Sequence, residues 1–173
     1  MKWIFAYGSL LWRPGFDFQV AEKAKIWGWE RRLWQLSVDH RGSYELPGRV
    51  ATIVPKESSF CEGLAYGVTD DDWKHVLGYL DDREKNGYEK KQIEIDCEAY
   101  DVLKGITYVS FRKDTWELTD LSNEELLPNL LSAKGASGEN IEYLFRLAKS
   151  LNHLGINDQH IIDLIGLVKA KRN

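Results

Sequence analysis

Phe5-Ala6-Tyr7-Gly8-Ser9-Leu10-Leu11-Trp12 is the stretch on which the reading of this chain turns. The apolar run before it, Trp3-Ile4-Phe5, predicts a first strand. Tyr7-Gly8-Ser9 ends that strand, and Pro14-Gly15 follows shortly after. Gly8 lets a ligand approach the backbone closely. Ser9 adds a hydroxyl that both donates and accepts. Successive backbone N–H groups at such a bend can form a concavity for an anion. Taken alone, the same residues also describe an ordinary tight turn after an edge strand, with Tyr7 and Trp12 packing. The rest of the chain decides between the two.

The 173 residues have the length of one ordinary domain, and we expect a single domain over 1–173, large enough to bury a core without staples. Hydrophobic residues make up 43% and charged residues 29%, the balance of a globular chain rather than a disordered one. A net charge of -4 argues against a nucleic-acid binder, which would need a basic face. Cys61 and Cys97 stand in no Cys-x-x-Cys pair and near no His at metal spacing, so we expect reduced core thiols. The run Met1 to Phe5 is too short for a signal-peptide core, and no stretch has the length of a membrane span. These features together predict a cytoplasmic protein with no membrane contact, and nothing in the chain demands an obligate protein partner.

Strand patterns dominate the first two thirds. Glu22 to Val38 reads as a strand pair or one bent strand, with Gly28 at a bulge or close approach. Val50 to Val54 reads as a strand ended by Pro55, and Phe60 to Val68 as another. A helix then starts at Thr69, which can cap it ahead of Asp70, Asp71 and Asp72. Trp73, Val76, Leu77 and Leu80 form its apolar stripe, and Glu84 falls on the same stripe one turn later, before a stop at Asn86-Gly87. Tyr88 to Tyr100 and Gly105 to Phe111 are two further strands. The last third is helical. Ser122 to Glu125 is a capping box ahead of a helix that Pro128 should shorten or kink. A second helix follows Ser137-Gly138-Glu139-Asn140 and ends near Gly155. A third, capped by Asn157 or Asp158, ends in basic residues from Lys169 to Arg172. Strands first and helices last predict an α+β fold, with helices around a small, mostly antiparallel sheet that can close as a barrel.

No dinucleotide, phosphate-loop, zinc-protease or nucleophile-elbow signature is present. A Ser9–His40–Asp39 triad can be written down, but no spacing supports it. Asp81-Asp82-Arg83-Glu84-Lys85 is a poor metal site, because Arg and Lys interleave the carboxylates. Read locally, it is a solvated helix end. Glu84 alone departs from that reading: a carboxylate on a buried stripe is costly unless it is paired or functional.

Tyr7-Gly8-Ser9-Leu10-Leu11-Trp12, Asp39-His40-Arg41-Gly42, Pro47-Gly48-Arg49, Tyr79-Leu80-Asp81-Asp82-Arg83-Glu84 with Gly87-Tyr88, and Ser137-Gly138-x-Asn140-x-Glu142-Tyr143-Leu144 occur in that order. Together they resemble the ChaC-type γ-glutamylcyclotransferases over nearly the whole chain. The resemblance implies a γ-glutamylcyclotransferase fold and an activity that releases 5-oxoproline and Cys-Gly from glutathione, without a cofactor or metal. It implies that Ala6, Tyr7, Gly8, Ser9, Leu10 and Leu11 form the substrate-binding loop. It further implies that Glu84 is the catalytic acid/base and that Tyr143 lines the site. The chain departs from the pattern at Ala6, where many relatives carry Gly, and at Asn86.

The implied chemistry suits these residue types. The substrate's own α-amine attacks its γ-carbonyl, so no nucleophilic Ser or Cys is needed. Holding the amine near attack geometry contributes about 7–11 kcal/mol. A gap of about 3.5 units separates an α-ammonium from an ordinary Glu, costing about 5 kcal/mol for direct proton transfer; burial narrows it. Arg41 or Arg49 could fork onto a substrate carboxylate, or either could be a surface loop arginine. The same residues also fit a cyclotransferase for other γ-glutamyl amines, or a ligand-binding module without turnover.

Overall fold

The strands of the first two thirds close into a barrel. The computed structural model describes residues 1–84, 87–110 and 121–172. In chain order the elements are β1 (Lys2–Ala6), a 3-10 turn (Ser9–Leu11), β2 (Val20–Ser37), β3 (Gly48–Val68), α1 (Asp70–Arg83), β4 (Glu89–Cys97) and β5 (Asp101–Val109). Then come α2 (Asn123–Ser132), the two-residue strands β6 (Lys134–Gly135) and β7 (Gly138–Glu139), α3 (Asn140–His153) and α4 (Gln159–Arg172). The barrel order is β1-β3-β2-β4-β5. β1 runs antiparallel to β3, with Phe5 opposite Ala65, and closes the barrel by a parallel pairing with β5, with Ile4 opposite Ile106.

Two compact units divide the chain. The first is Met1–Arg31 with Ile53–Phe111, and the second is Arg32–Thr52 with Arg112–Asn173. The first unit buries Ile4, Phe5, Ile26, Ile53, Ala65, Val68, Ile95 and Val109. Cys61 and Cys97 are free and buried, as their spacing predicts. In α1, Thr69 accepts from the Asp72 N–H at 3.1 Å, and Val76 and Leu80 are fully buried, matching the predicted stripe. The second unit packs α2, α3 and α4 around Leu126, Leu130, Leu144, Leu147 and Leu164.

Three sequence expectations change. β3 runs unbroken through Pro55. Only Leu64–Val68 pairs with β1, and Pro55 to Ser58 are exposed, so the missing N–H breaks no bond to β1. Of the bulge or close approach expected at Gly28, the close approach is absent: φ is +79°, and nothing apart from its chain neighbours lies within 4 Å of where a Cβ would stand, so the backbone angle is what requires glycine. α2 continues past Pro128 to Ser132 behind the expected Ser122–Glu125 capping box. The third C-terminal helix is capped by Asp158, whose Oδ1 accepts from the Ile161 N–H at 3.2 Å. The expected stop at Asn86 and the strand end at Phe111 lie outside the described residues. No described helix is long and apolar enough to cross a membrane.

Candidate active site

The turn that follows β1 is held by its carbonyls. Arg31, 2% exposed in the middle of an aromatic strand, donates from Nε to the Tyr7 carbonyl at 2.8 Å and from Nη2 to the Glu62 carbonyl. Tyr66 donates to the Leu10 carbonyl at 2.9 Å. Arg83 donates to the carbonyls of Arg13 (2.6 Å) and Pro14 (3.1 Å) and to Ser9 Oγ (2.9 Å). The Tyr7 hydroxyl donates to the Tyr108 carbonyl at 2.6 Å, tying the turn to β5. Ala6 and Leu10 are buried, and the Leu11 N–H is spent on the Gly8 carbonyl at 3.0 Å. Within a single 3-10 turn, the first N–H groups, those of Ser9 and Leu10, have no carbonyl of the same turn to bond.

Glu84 is the C-cap of α1, and its N–H still donates to the Leu80 carbonyl at 2.9 Å. Its side chain is 16% exposed, in phase with the buried Leu80. Burial pushes its carboxyl up from the ordinary range, and the neighbouring Arg83 cation pulls it partly back. The negative end of the α1 dipole acts in the same direction as burial. Arg83 Nε stands 3.4 Å from Glu84 Oε1, an ion pair. Beyond it, the Tyr108 phenol donates to Asp81 Oδ1 at 2.5 Å, and Lys90 of β4 pairs with the same carboxylate at 3.0 Å. Burial, then Asp81 and then Glu84, push Tyr108 well above the ordinary phenol range. The hydrogen bond from Tyr108 is the main reason Asp81 sits low. Thus the first unit brings the Ala6–Leu11 turn and Glu84 into one bonded set, with Arg83 common to both.

Arg41, Arg49 and Tyr143 belong to the second unit, where both arginines are buried rather than surface loop residues. Arg41 donates to the Glu139 carbonyl at 3.0 Å and pairs with Glu142 Oε2 at 3.2 Å. Arg146 and then Arg41 hold Glu142 below the usual carboxylate range. Arg49 Nη1 donates to the Trp34 carbonyl at 2.7 Å, while its Nε has no hydrogen-bond partner among the described residues. Tyr143 is buried, with its hydroxyl 3.1 Å from the Ala51 N–H it accepts from. Asn140, fully buried, accepts from the Arg49 N–H and donates to the Arg49 carbonyl, both at 2.7 Å. Asn140→Ala should therefore strand a buried backbone donor and acceptor and cost about 3 kcal/mol, read by denaturant unfolding. The written triad gains no support: Ser9 Oγ is engaged by Arg83, and His40 Nδ1 lies 3.1 Å from Ser137 Oγ.

Sequence reasoning did not assign Arg31, Arg83, Tyr108 or Asn140. A charged residue inside an aromatic strand was the available signal for Arg31. For Asn140 it was the Asn of the Ser-Gly-x-Asn segment. Arg83 fell off the apolar stripe, and its contacts come from the distant turn.

Residues 2–171 match the profile of the ChaC-like protein family. The chain is a member of the ChaC-like family. It is 36% identical over 173 residues to the human glutathione-specific γ-glutamylcyclotransferase 1, covering 95% of this chain and 78% of that protein. Against the glutathione-specific γ-glutamylcyclotransferase of Schizosaccharomyces pombe it is 34% identical, over 98% of this chain and 93% of that one. The crystal structure of a yeast γ-glutamylcyclotransferase specific to glutathione superposes with a TM-score of 0.90 at 26% identity, covering 98% and 96% of the two chains. The ChaC-like chain therefore has the γ-glutamylcyclotransferase fold.

Proposed function

We propose that this ChaC-like chain cleaves glutathione to 5-oxoproline and Cys-Gly. The observation that carries the reading is the Glu84 carboxylate, part-buried with its affinity for a proton raised, joined through Arg83 to the Ser9 turn. Relatives named as glutathione-specific enzymes supply the substrate.

In this mechanism the γ-glutamyl α-nitrogen bonds to the γ-carbonyl carbon, and the bond from that carbon to the cysteine nitrogen breaks. Glu84 takes one ammonium proton to free the attacking amine and returns it to the departing Cys-Gly nitrogen; the second proton, shed as the attacking nitrogen becomes the lactam N–H, passes to the same nitrogen, which leaves as an ammonium. Its raised proton affinity narrows the gap to the amine. The guanidinium groups of Arg31 and Arg83 take up carbonyls of the turn and make its surroundings positive, which favours the substrate's α-carboxylate or the developing oxyanion. A preorganised donor to such an oxyanion contributes about 2.7–4 kcal/mol. Ser9 still has its hydroxyl hydrogen to donate, so it is a binding group here and not a nucleophile. Within the second unit, Arg41 is paired with Glu142 and Arg49 donates to the Trp34 carbonyl. The free, buried cysteines fit a cytoplasmic setting.

Incubation with glutathione and with γ-glutamyl amino acids, followed by measurement of 5-oxoproline, tests the reading. Product from glutathione is expected. Product from γ-glutamyl amino acids alone would move the assignment to another γ-glutamyl substrate. No product from any γ-glutamyl compound would leave a binding module.

A further inference from the structure

Arg83 touches both halves of the candidate site. Four oxygens of the Ser9–Pro14 segment and of Tyr79 lie within 2.6–3.1 Å of its Nη atoms, and its Nε stands 3.4 Å from Glu84 Oε1. The residue is 17% exposed, so solvent competes weakly for these contacts. Tyr79, one helical turn earlier, supports the same grip. Gly15 has φ +74°, and a Cβ there would meet the Tyr79 hydroxyl at 2.1 Å, so the segment lies directly against this face of α1.

We infer that Arg83 is a positioning residue that couples the substrate turn to the Glu84 carboxylate through one guanidinium. The planar fork fixes where Ser9 and the Arg13–Pro14 carbonyls stand relative to the base. A lysine has the charge but cannot span the same set of acceptors. The positive charge also keeps Glu84 ionisable despite its burial. Among the described residues Tyr108 on β5 also interacts with Glu84, and its phenol donates to Asp81 on α1, which Lys90 on β4 pairs with in turn. Among the described residues Arg83 is the cation that acts on Glu84 directly. This role rests on the proposed use of Glu84 as the base.

The two functions of Arg83 separate in Arg83→Lys and Arg83→Met, compared with wild type after thermal melts establish that each is folded. In Arg83→Met, the Glu84 carboxyl, followed by carbon-13 NMR and assigned with Glu84→Gln, should titrate roughly one unit higher. The acid limb of kcat/KM for glutathione should move up by the same amount. In Arg83→Lys, the Glu84 titration should stay near wild type, while amide exchange across Ser9–Arg13 quickens and KM rises about tenfold or more. Unchanged Glu84 titration in Arg83→Met, or unchanged exchange in both variants, would overturn the coupling. Carboxyl titration and exchange need no turnover. A wild-type protein inactive on glutathione would therefore fail the functional reading while leaving the role of Arg83 to be judged on these two measurements.

Discussion

Glu84→Gln should lower kcat on glutathione by about 10²–10⁴-fold, with glutathione binding largely kept. Gln preserves the shape and the hydrogen-bonding reach of the side chain but cannot take a proton from an ammonium. Isothermal titration should show glutathione still bound, and an end-point assay should show 5-oxoproline almost absent. Wild-type turnover in this variant would remove Glu84 from the mechanism. Stability should move the other way. Burial raises the Glu84 carboxyl in the fold, so the folded chain binds its proton more tightly than the unfolded chain does. The favourable contribution is complete below the unfolded value, about 4.3, and is lost as pH rises through the higher folded value. At neutral pH the ionised side chain therefore weakens the fold, and Gln should hold or raise Tm. A variant that melts no lower than wild type yet turns over far more slowly is the signature of a carboxylate kept for chemistry.

The same shift gives the pH dependence its sign. In free enzyme the acid limb of kcat/KM should lie above the ordinary glutamate range, because the ionised base is the competent form. Activity should climb with pH through that window, and Glu84→Gln should lose the limb together with the rate. An acid limb at or below the ordinary range would mean that the cation at Arg83 outweighs burial at this site.

Periodicity made much of the first unit legible. The stripe Trp73, Val76, Leu77 and Leu80 places Glu84 on the buried side of α1, and the structure finds Val76 and Leu80 buried with Glu84 at the cap. The turn at Gly8-Ser9 was legible as a turn, yet its restraints were not. Arg31, Tyr66 and Arg83 reach it from three other elements, and no local spacing encodes such contacts. Pro55 reads as a strand terminator, yet β3 runs through it, because a proline's cost depends on whether the absent N–H would face a partner strand. The ribbon of β6 and β7 is too short to carry a period at all. Arg41 and Arg49 were visible as motif residues, but their burial depends on two glycines that pack backbone against backbone.

Those glycines carry the largest expected loss of stability. A Cβ on Gly42 would stand 2.0 Å from the Gly48 nitrogen and 2.5 Å from the Ser37 carbonyl oxygen; one on Gly48 would stand 2.3 Å from the Arg41 carbonyl oxygen. Every one of these is a backbone atom, so no flexible side-chain tip can move aside. The segment cannot slide freely either. Arg41 N–H bonds Ser37 Oγ at 3.0 Å, and the Asp39 and His40 carbonyls accept from Ala136 (2.9 Å) and Ser137 (2.8 Å). Gly42→Ala should therefore cost about 3 kcal/mol or more. Gly48→Ala should cost a similar amount. The double variant should fall short of their sum, because both substitutions open the same contact. Gly78, exposed in the middle of α1 with nothing but its chain neighbours and the helix's own backbone near the place of a Cβ, provides the contrast. Gly78→Ala should stabilise by about 0.5–1 kcal/mol through helix propensity alone. Chemical denaturation of the four variants reads all of this. A Gly42→Ala protein within about 0.5 kcal/mol of wild type, the range of an ordinary surface change, would mean that the Arg41 and Arg49 segments can part without loss. The two glycines would then have no structural reason to stand beside the two arginines.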